Sequence, residues 1–108
     1  EGMLKEIRPD WEALGRVECR GVAVTCQSSS GEYDFVSRFF APRSGVLEDP
    51  VTGSAHCCLG PFWGARLKKT ELVAYQASTR GGVVKVSLVG DRVLLGGQAV
   101  TVLRGELQ

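Results

Sequence analysis

The segment SAHCCLGPFWGARLKK, residues 54–69, places the tightest limit on what this chain can fold into. At about 3.6 residues per turn, Ala55, Cys58, Leu59 and Phe62 fall along one side of a helix over Ser54–Lys68, while Cys57, Trp63 and Leu67 occupy others. No wide polar face remains before the basic end, and a helix that is apolar nearly all round has to be buried. The segments around it are strand-like, so the simplest solution is an α+β fold in which a curved, mostly antiparallel sheet wraps around this central helix. Gly60 and Gly64 would permit the close approach, and Lys68 and Lys69 suit the negative end of the helix dipole. Pro61 is the awkward residue. Inside a helix it removes a hydrogen bond and clashes with the preceding turn, at about 3 kcal/mol, which predicts a kink or a break near Cys57–Pro61.

The remaining elements follow from shorter patterns. PDWEALGR (9–16) has a proline at a helix start and a glycine near its end, which predicts a short helix. RGVAVTCQ (20–27) alternates Val22, Val24 and Cys26 against Ala23 and Thr25, and YDFVSRFFAP (33–42) is rich in aromatic and β-branched residues and closes on a proline. Both are expected strands, joined by the loop SSSGE. Beyond the central helix come ELVAYQAS, VVKVSLV, RVLLG and QAVTVLRGEL, also expected strands. Gly90-Asp91 is a glycine-first hairpin signal, so the last three of these segments should form an antiparallel meander.

Composition narrows the function classes. With 13 basic against 12 acidic residues the net charge is +1 and the charges are scattered, so no basic stripe points to nucleic acid or to an anionic membrane. No apolar run approaches the roughly 20 residues of a membrane span, and no charged n-region precedes an apolar h-region. The expectation is one domain over residues 1–108 with a cytoplasmic location. Met3 is the only methionine and is a plausible natural start. The four cysteines include no C-x-x-C, and only one histidine is present, so the usual zinc spacing is missing. His56, Cys57 and Cys58 are neighbours in sequence, but successive helical side chains diverge by about 100° and do not converge on one ion. The cysteines are expected as reduced thiols packed in the core like small hydrophobes. No metal is implied. Trp11 and Trp63 are expected to serve packing, Arg80-Gly81-Gly82 a turn between strands, and Arg38 a solvated or paired position.

The chemistry-bearing stretch is EDPVTGSAH, residues 48–56, immediately before the central helix. Thr52, Gly53 and Ser54 lie at its head, where free N–H groups and the positive dipole end favour an anion. Gly53 would let an anionic group reach the backbone, and the hydroxyls of Thr52 and Ser54 can cap the helix or donate to a ligand. Pro50 biases Asp49 toward an extended conformation that holds its carboxylate beside that anion site. A carboxylate next to an anion-binding helix start suits proton transfer on a carboxylic acid. The same residues are also compatible with an ordinary helix cap and an Asp-Pro turn.

The run DFVSRFFAPRSGVLEDPVTGSAHCCLGPFWGARL, with Gln76, Ser78, Arg80-Gly81-Gly82 and the ending AVTVLRGEL, resembles the C-terminal half of the phenazine biosynthesis-like (PhzF) family. The resemblance covers nearly the whole chain, and EDPVTGSAH is a specific signature. It implies a fold related to diaminopimelate epimerase, with two similar domains, each a curved sheet around a central helix, and an active site in the cleft between them. It also implies cofactor-independent isomerase chemistry on a small carboxylated metabolite. Asp49 would then be an acid/base or proton-relay group, with Thr52, Gly53 and Ser54 around the substrate's anionic group.

One departure bears on mechanism. The family's principal acid/base glutamate and its supporting histidine belong to the N-terminal domain, and neither has a counterpart here. Glu48 is no substitute, because neighbours in an extended segment point to opposite sides. His56 belongs to the motif itself. The expectation is a half-site completed by a homodimer partner or by a separate N-terminal half. The alternatives are a non-catalytic small-anion-binding or dimerisation module, or a fragment in which the motif survives only as a helix start.

Overall fold

The computed structural model describes residues 1–108. Its elements are α1 (Gly2–Glu6), α2 (Trp11–Gly15), β1 (Val22–Gln27), β2 (Phe35–Ala41), a 3-10 turn at Pro42–Ser44, β3 (Val46–Glu48), α3 (Gly53–Leu67), β4 (Glu71–Gln76), β5 (Gly82–Val89) and β6 (Arg92–Gly96). The six strands form one sheet in the order β1-β2-β4-β5-β6, with β3 also on β2. Every pairing is antiparallel except β2 with β4. The fold is α+β, a largely antiparallel sheet carrying one long helix.

Alternation along β2 separates the two faces of the sheet. Phe35 faces α3 and joins Leu59, Trp63, Leu72, Ala74, Val84 and Val86 in the core. The Trp63 indole stacks on Phe35 at 5.9 Å between ring centroids, and its Nε1–H donates to Thr25 Oγ1 at 2.9 Å, so the largest core side chain leaves no buried donor unpaired. The opposite face carries Arg38 and Phe40. Trp11 meets Phe40 edge-on at 5.7 Å. Arg38 forms a two-pronged pair with Glu48, at 3.0 and 2.7 Å, and donates to the carbonyls of Leu4 and Ile7 at 3.1 and 2.8 Å. It thereby fastens α1 to the sheet. The guanidinium is charged in any case, and the Glu48 hydrogen bond raises its pKa further against the opposing effect of burial.

Five sequence expectations are corrected. The helix α3 runs unbroken through Pro61. Pro61 and Cys57, whose carbonyl loses the hydrogen bond, both lie on the exposed side, where water can replace the missing N–H. Nor is α3 buried all round. His56, Leu59, Gly60, Trp63 and Gly64 face the sheet, whereas Cys57, Cys58, Pro61 and Phe62 are exposed, because the sheet of this chain covers one side only. The cysteines are not core residues: Cys19, Cys57 and Cys58 are exposed and Cys26 is half-buried, all unpaired. The meander is β4-β5-β6, one segment earlier than expected, since the 98–107 segment is exposed and forms no strand. The short helix begins at Trp11, with the Asp10 side chain capping Ala13 N–H at 3.1 Å and Pro9 outside it. The two first strands and the Gly90-Asp91 turn, with Gly90 at φ 60°, lie as expected.

Helix and sheet approach most closely at two glycines. A Cβ on Gly60 would stand 2.7 Å from Val86 Cγ1, and one on Gly64 would stand 2.5 Å from Leu88 Cδ1 and 2.9 Å from the Lys69 carbonyl. Alanine favours a helix by about 1 kcal/mol over glycine, yet here the clash should win. Gly64→Ala is expected to destabilise the chain by about 1–3 kcal/mol in urea unfolding. Gly60→Ala should cost less, because a Val86 side chain can yield more readily than a backbone carbonyl.

Candidate active site

β3 and β4 both pair with the same edge of β2, arriving from opposite directions. β3 ends where Asp49 N–H donates to the Phe39 carbonyl at 3.0 Å, and β4 ends where Ala77 N–H donates to the Ser37 carbonyl at 2.7 Å. The ends of the two strands meet beside Arg38, and the chain leaves this fork through Pro50 and Val51 into the head of α3.

A compact polar network fills the fork. Gln76, fully buried at the end of β4, accepts from Thr52 N–H at 2.7 Å and donates through Nε2 to the Asp49 carbonyl at 2.8 Å and to Thr52 Oγ1 at 3.0 Å. The Thr52 hydroxyl donates to Asp49 Oδ2 at 2.7 Å. Ser78 Oγ donates to the Pro50 carbonyl at 2.9 Å and accepts from Gly81 N–H at 2.9 Å, so the Arg80-Gly81-Gly82 turn closes over the loop. Gly81 needs its positive φ of 75°, and Gly82 has no room for a side chain against Val51.

The signature residues thus take different positions. Asp49 points into the fork on the α3 side of the sheet, while Glu48 points to the other side and is consumed by Arg38. Thr52 is buried and its hydroxyl is committed to Asp49, so it holds the carboxylate and is not a free donor for a ligand. Gly53 and Ser54 are exposed. Thr52 makes no side-chain cap, so the N–H groups of Gly53, Ser54 and Ala55 have no partner within the helix. A carboxylate and an open helix head therefore lie within one turn of chain.

His56 is fully buried one turn further on, its Nδ1 2.6 Å from the Thr52 carbonyl. A carbonyl only accepts, so Nδ1 carries the proton. Nε2 and the Ser37 hydroxyl are buried without a hydrogen-bond partner. Burial lowers the His56 pKa, with the Thr52 bond acting weakly the other way, so the ring is neutral and structural. Cys57 and Cys58 face away from it. On the far side of the sheet a cavity of about 310 Å³ is lined by Lys5, Arg38, Glu48, Tyr75 and Thr79 among others, and includes none of Asp49, Thr52, Gly53 and Ser54. Its arginine and glutamate are paired with each other, at 3.0 and 2.7 Å.

The phenazine biosynthesis-like protein family model (PhzC-PhzF) matches residues 1–105. The chain belongs to that family. It is 60% identical over 107 residues to an uncharacterized isomerase of Halalkalibacterium halodurans, covering 99% of this chain and 40% of that protein. It is 47% identical over 104 residues to mouse phenazine biosynthesis-like domain-containing protein 1, covering 92% of this chain and 35% of that one. A crystal structure of a putative phenazine biosynthesis PhzC/PhzF protein from Clostridium difficile superposes with a TM-score of 0.87 at 37% identity, over 100% of this chain and 41% of that chain. A PhzF-family structure from Enterococcus faecalis gives 0.84 at 46% identity, over 90% of this chain and 37% of that one. The diaminopimelate epimerase-like fold is thereby established for these residues. The chain spans about two-fifths of the length of the curated relatives it matches, in their C-terminal half.

Gln76 is the site residue that pattern reading did not assign a role. A signal was available: Leu72, Ala74 and Gln76 share one face of β4, and a polar amide at the third core-facing position needs buried partners.

The folded pKa of His56 lies below its ordinary value of about 6.5. The unfolded chain therefore binds the extra proton first, and the stability linked to neutral His56 is present above about pH 6.5 and is lost as pH falls through the folded pKa. Urea midpoints should decline across that window, and His56→Gln should flatten the decline, since no other histidine contributes.

Proposed function

We propose that this chain supplies one wall of a PhzF-type isomerase site that moves a proton on a small carboxylated substrate without a cofactor. Asp49 is the acid/base or proton-relay group. Gly53 and Ser54 receive the substrate's anionic group at the head of α3. Thr52 acts by holding Asp49. The observation that carries this reading is the Asp49 carboxylate, fixed at 2.7 Å by Thr52, beside unpartnered main-chain donors. An anion seated there keeps an adjacent C–H within reach of a carboxylate whose position is set in advance.

The site is half of one. No second acid/base group lies in the fork, since Glu48 is paired with Arg38 and His56 is enclosed. The opposite wall comes from a second copy of the chain or from a separate N-terminal half, and exposed apolar residues outside the core support such an association. Phe62 on α3 is 45% exposed, and Val100, Val102 and Leu103 are 85%, 91% and 86% exposed. A cytoplasmic location belongs to the same reading and suits four unpaired cysteines.

Acetate titration followed by amide shifts tests the anion site. Saturable shifts are expected at Gly53, Ser54 and Ala55, and silence there removes the reading. Asp49→Asn should tighten acetate binding about fivefold by deleting a charge worth about 1 kcal/mol at close range. Proton transfer is tested by loss of the Cα–H signal of small amino and hydroxy acids in D2O. The chain alone should be slower by about 10²–10⁴ than the chain combined with the N-terminal part of the H. halodurans relative, the usual effect of a missing acid/base. Asp49→Asn should abolish the exchange. Acetate binding with no exchange in the combined system would point instead to a small-anion-binding module.

A further inference from the structure

The hydrogen-bond directions in the fork are fixed by chemistry. Thr52 N–H can only donate, so the atom of Gln76 that meets it at 2.7 Å is Oε1. The Asp49 carbonyl can only accept, so the atom that meets it at 2.8 Å is Nε2. Nε2 has one more hydrogen, which goes to Thr52 Oγ1 at 3.0 Å. With Oγ1 already accepting from Gln76, the hydroxyl's own hydrogen is turned to Asp49 Oδ2 at 2.7 Å. Oδ1 of Asp49 makes no hydrogen bond within the chain.

We propose that Gln76 is a positioning residue for Asp49: through the Thr52 hydroxyl it dedicates Oδ2 to accepting a hydrogen bond and leaves Oδ1 as the oxygen that takes and returns the substrate proton. This rests on the reading of Asp49 as the acid/base group. In the transfer, the substrate C–H bond breaks, its electron pair stays on the substrate, and an O–H bond forms at Oδ1. Oδ2 then has carbonyl character and still accepts from Thr52, so neither hydroxyl nor amide reorients as the proton moves. The clamp also blocks exchange of the two oxygens by rotation about the Cβ–Cγ bond. Full burial of Gln76 and near-full burial of Thr52 keep water from competing for these bonds.

Gln76→Glu discriminates this role from simple packing. Ionised, it keeps the shape and an acceptor for Thr52 N–H but cannot donate, so the Thr52 hydroxyl is drawn to residue 76 and leaves Asp49; the couplings are therefore read at a pH where the carboxyl carbon shift of residue 76 shows it ionised. In isotope-labelled protein, through-hydrogen-bond NMR couplings report each bond separately. The unaltered chain should couple the Thr52 hydroxyl proton to Asp49 Cγ and the Thr52 amide nitrogen to Gln76 Cδ. In Gln76→Glu the second should persist and the first should vanish. Persistence of the hydroxyl coupling to Asp49 in that variant, or its absence in the unaltered chain, overturns the proposal. Should Gln76→Glu fail to fold, the pair Thr52→Ser and Thr52→Val decides. The Asp49 Cγ signal at pH 7 should stay in place with serine and move with valine, and equal behaviour of the two refutes the relay. In the combined D2O assay, Thr52→Val should lower kcat at least about tenfold with KM little changed, and Thr52→Ser should restore most of the loss. A fall in KM-linked binding alone would mark Thr52 and Gln76 as structural. If the unaltered combination shows no exchange at all, the isomerase reading fails, while the couplings still decide the hydrogen-bond relay.

Discussion

The edge of β2 is shared by two strands that approach it head-on, and the candidate site exists because they cannot both continue. β3 and β4 stop on either side of Arg38, and the chain between them has to satisfy its main-chain polar groups without a ladder. Gln76 does this for Asp49 and Thr52 in one side chain. The turn that results delivers the chain into α3 with its first N–H groups open. A site of this kind is a by-product of how a sheet edge is terminated, and that explains why a carboxylate and a helix head coincide within a few residues.

The two sides of the sheet then divide the labour. On one side Arg38 gathers Glu48 and the carbonyls of Leu4 and Ile7, so the residue before Asp49 is immobilised by a largely buried ion pair. On the other side Asp49 itself is held by a neutral hydroxyl, a weaker partner than a guanidinium. Had the two acids been exchanged in register, the carboxylate proposed as the acid/base group would face a guanidinium and be a poorer base. Asp34 shows a third arrangement. Burial opposes its ionisation, but the hydrogen bonds from Lys69 and Val73 N–H and the Lys69 charge together outweigh it, and its pKa lies below the ordinary carboxylate value. It ties the end of α3 to β4, a structural task that suits a group favoured in its charged form.

Much of this was legible in the sequence. Five of the strand segments, the Gly90-Asp91 turn, the central helix and its pairing with the motif follow from periodicity and turn chemistry, because those signals are local. By contrast, β3 carried no such signal and the 98–107 segment forms no strand. Pro61 misled because the cost of a proline depends on which way the orphaned Cys57 carbonyl faces, and that is set by the sheet. The buried stripe of α3 could not be placed from an all-apolar sequence, since a helix without a polar face carries no phase. The role of Gln76 was hidden for a different reason. Its partners Asp49 and Thr52 lie 27 and 24 positions away, and only the parallel pairing of β2 with β4 brings them together.

The outer side of α3 and the apolar positions of Ala99–Leu103 are left uncovered by the rest of these residues. An apolar pattern in sequence marks a preference for burial, whereas exposure reports only what these residues cover. Phe62 lies against the Arg66 guanidinium at 4.5 Å and shields its outer face only in part. The candidate site is open in the same way, since Gly53 and Ser54 at the helix head are exposed. In the proposed reading, one association would cover the apolar surface and complete the site.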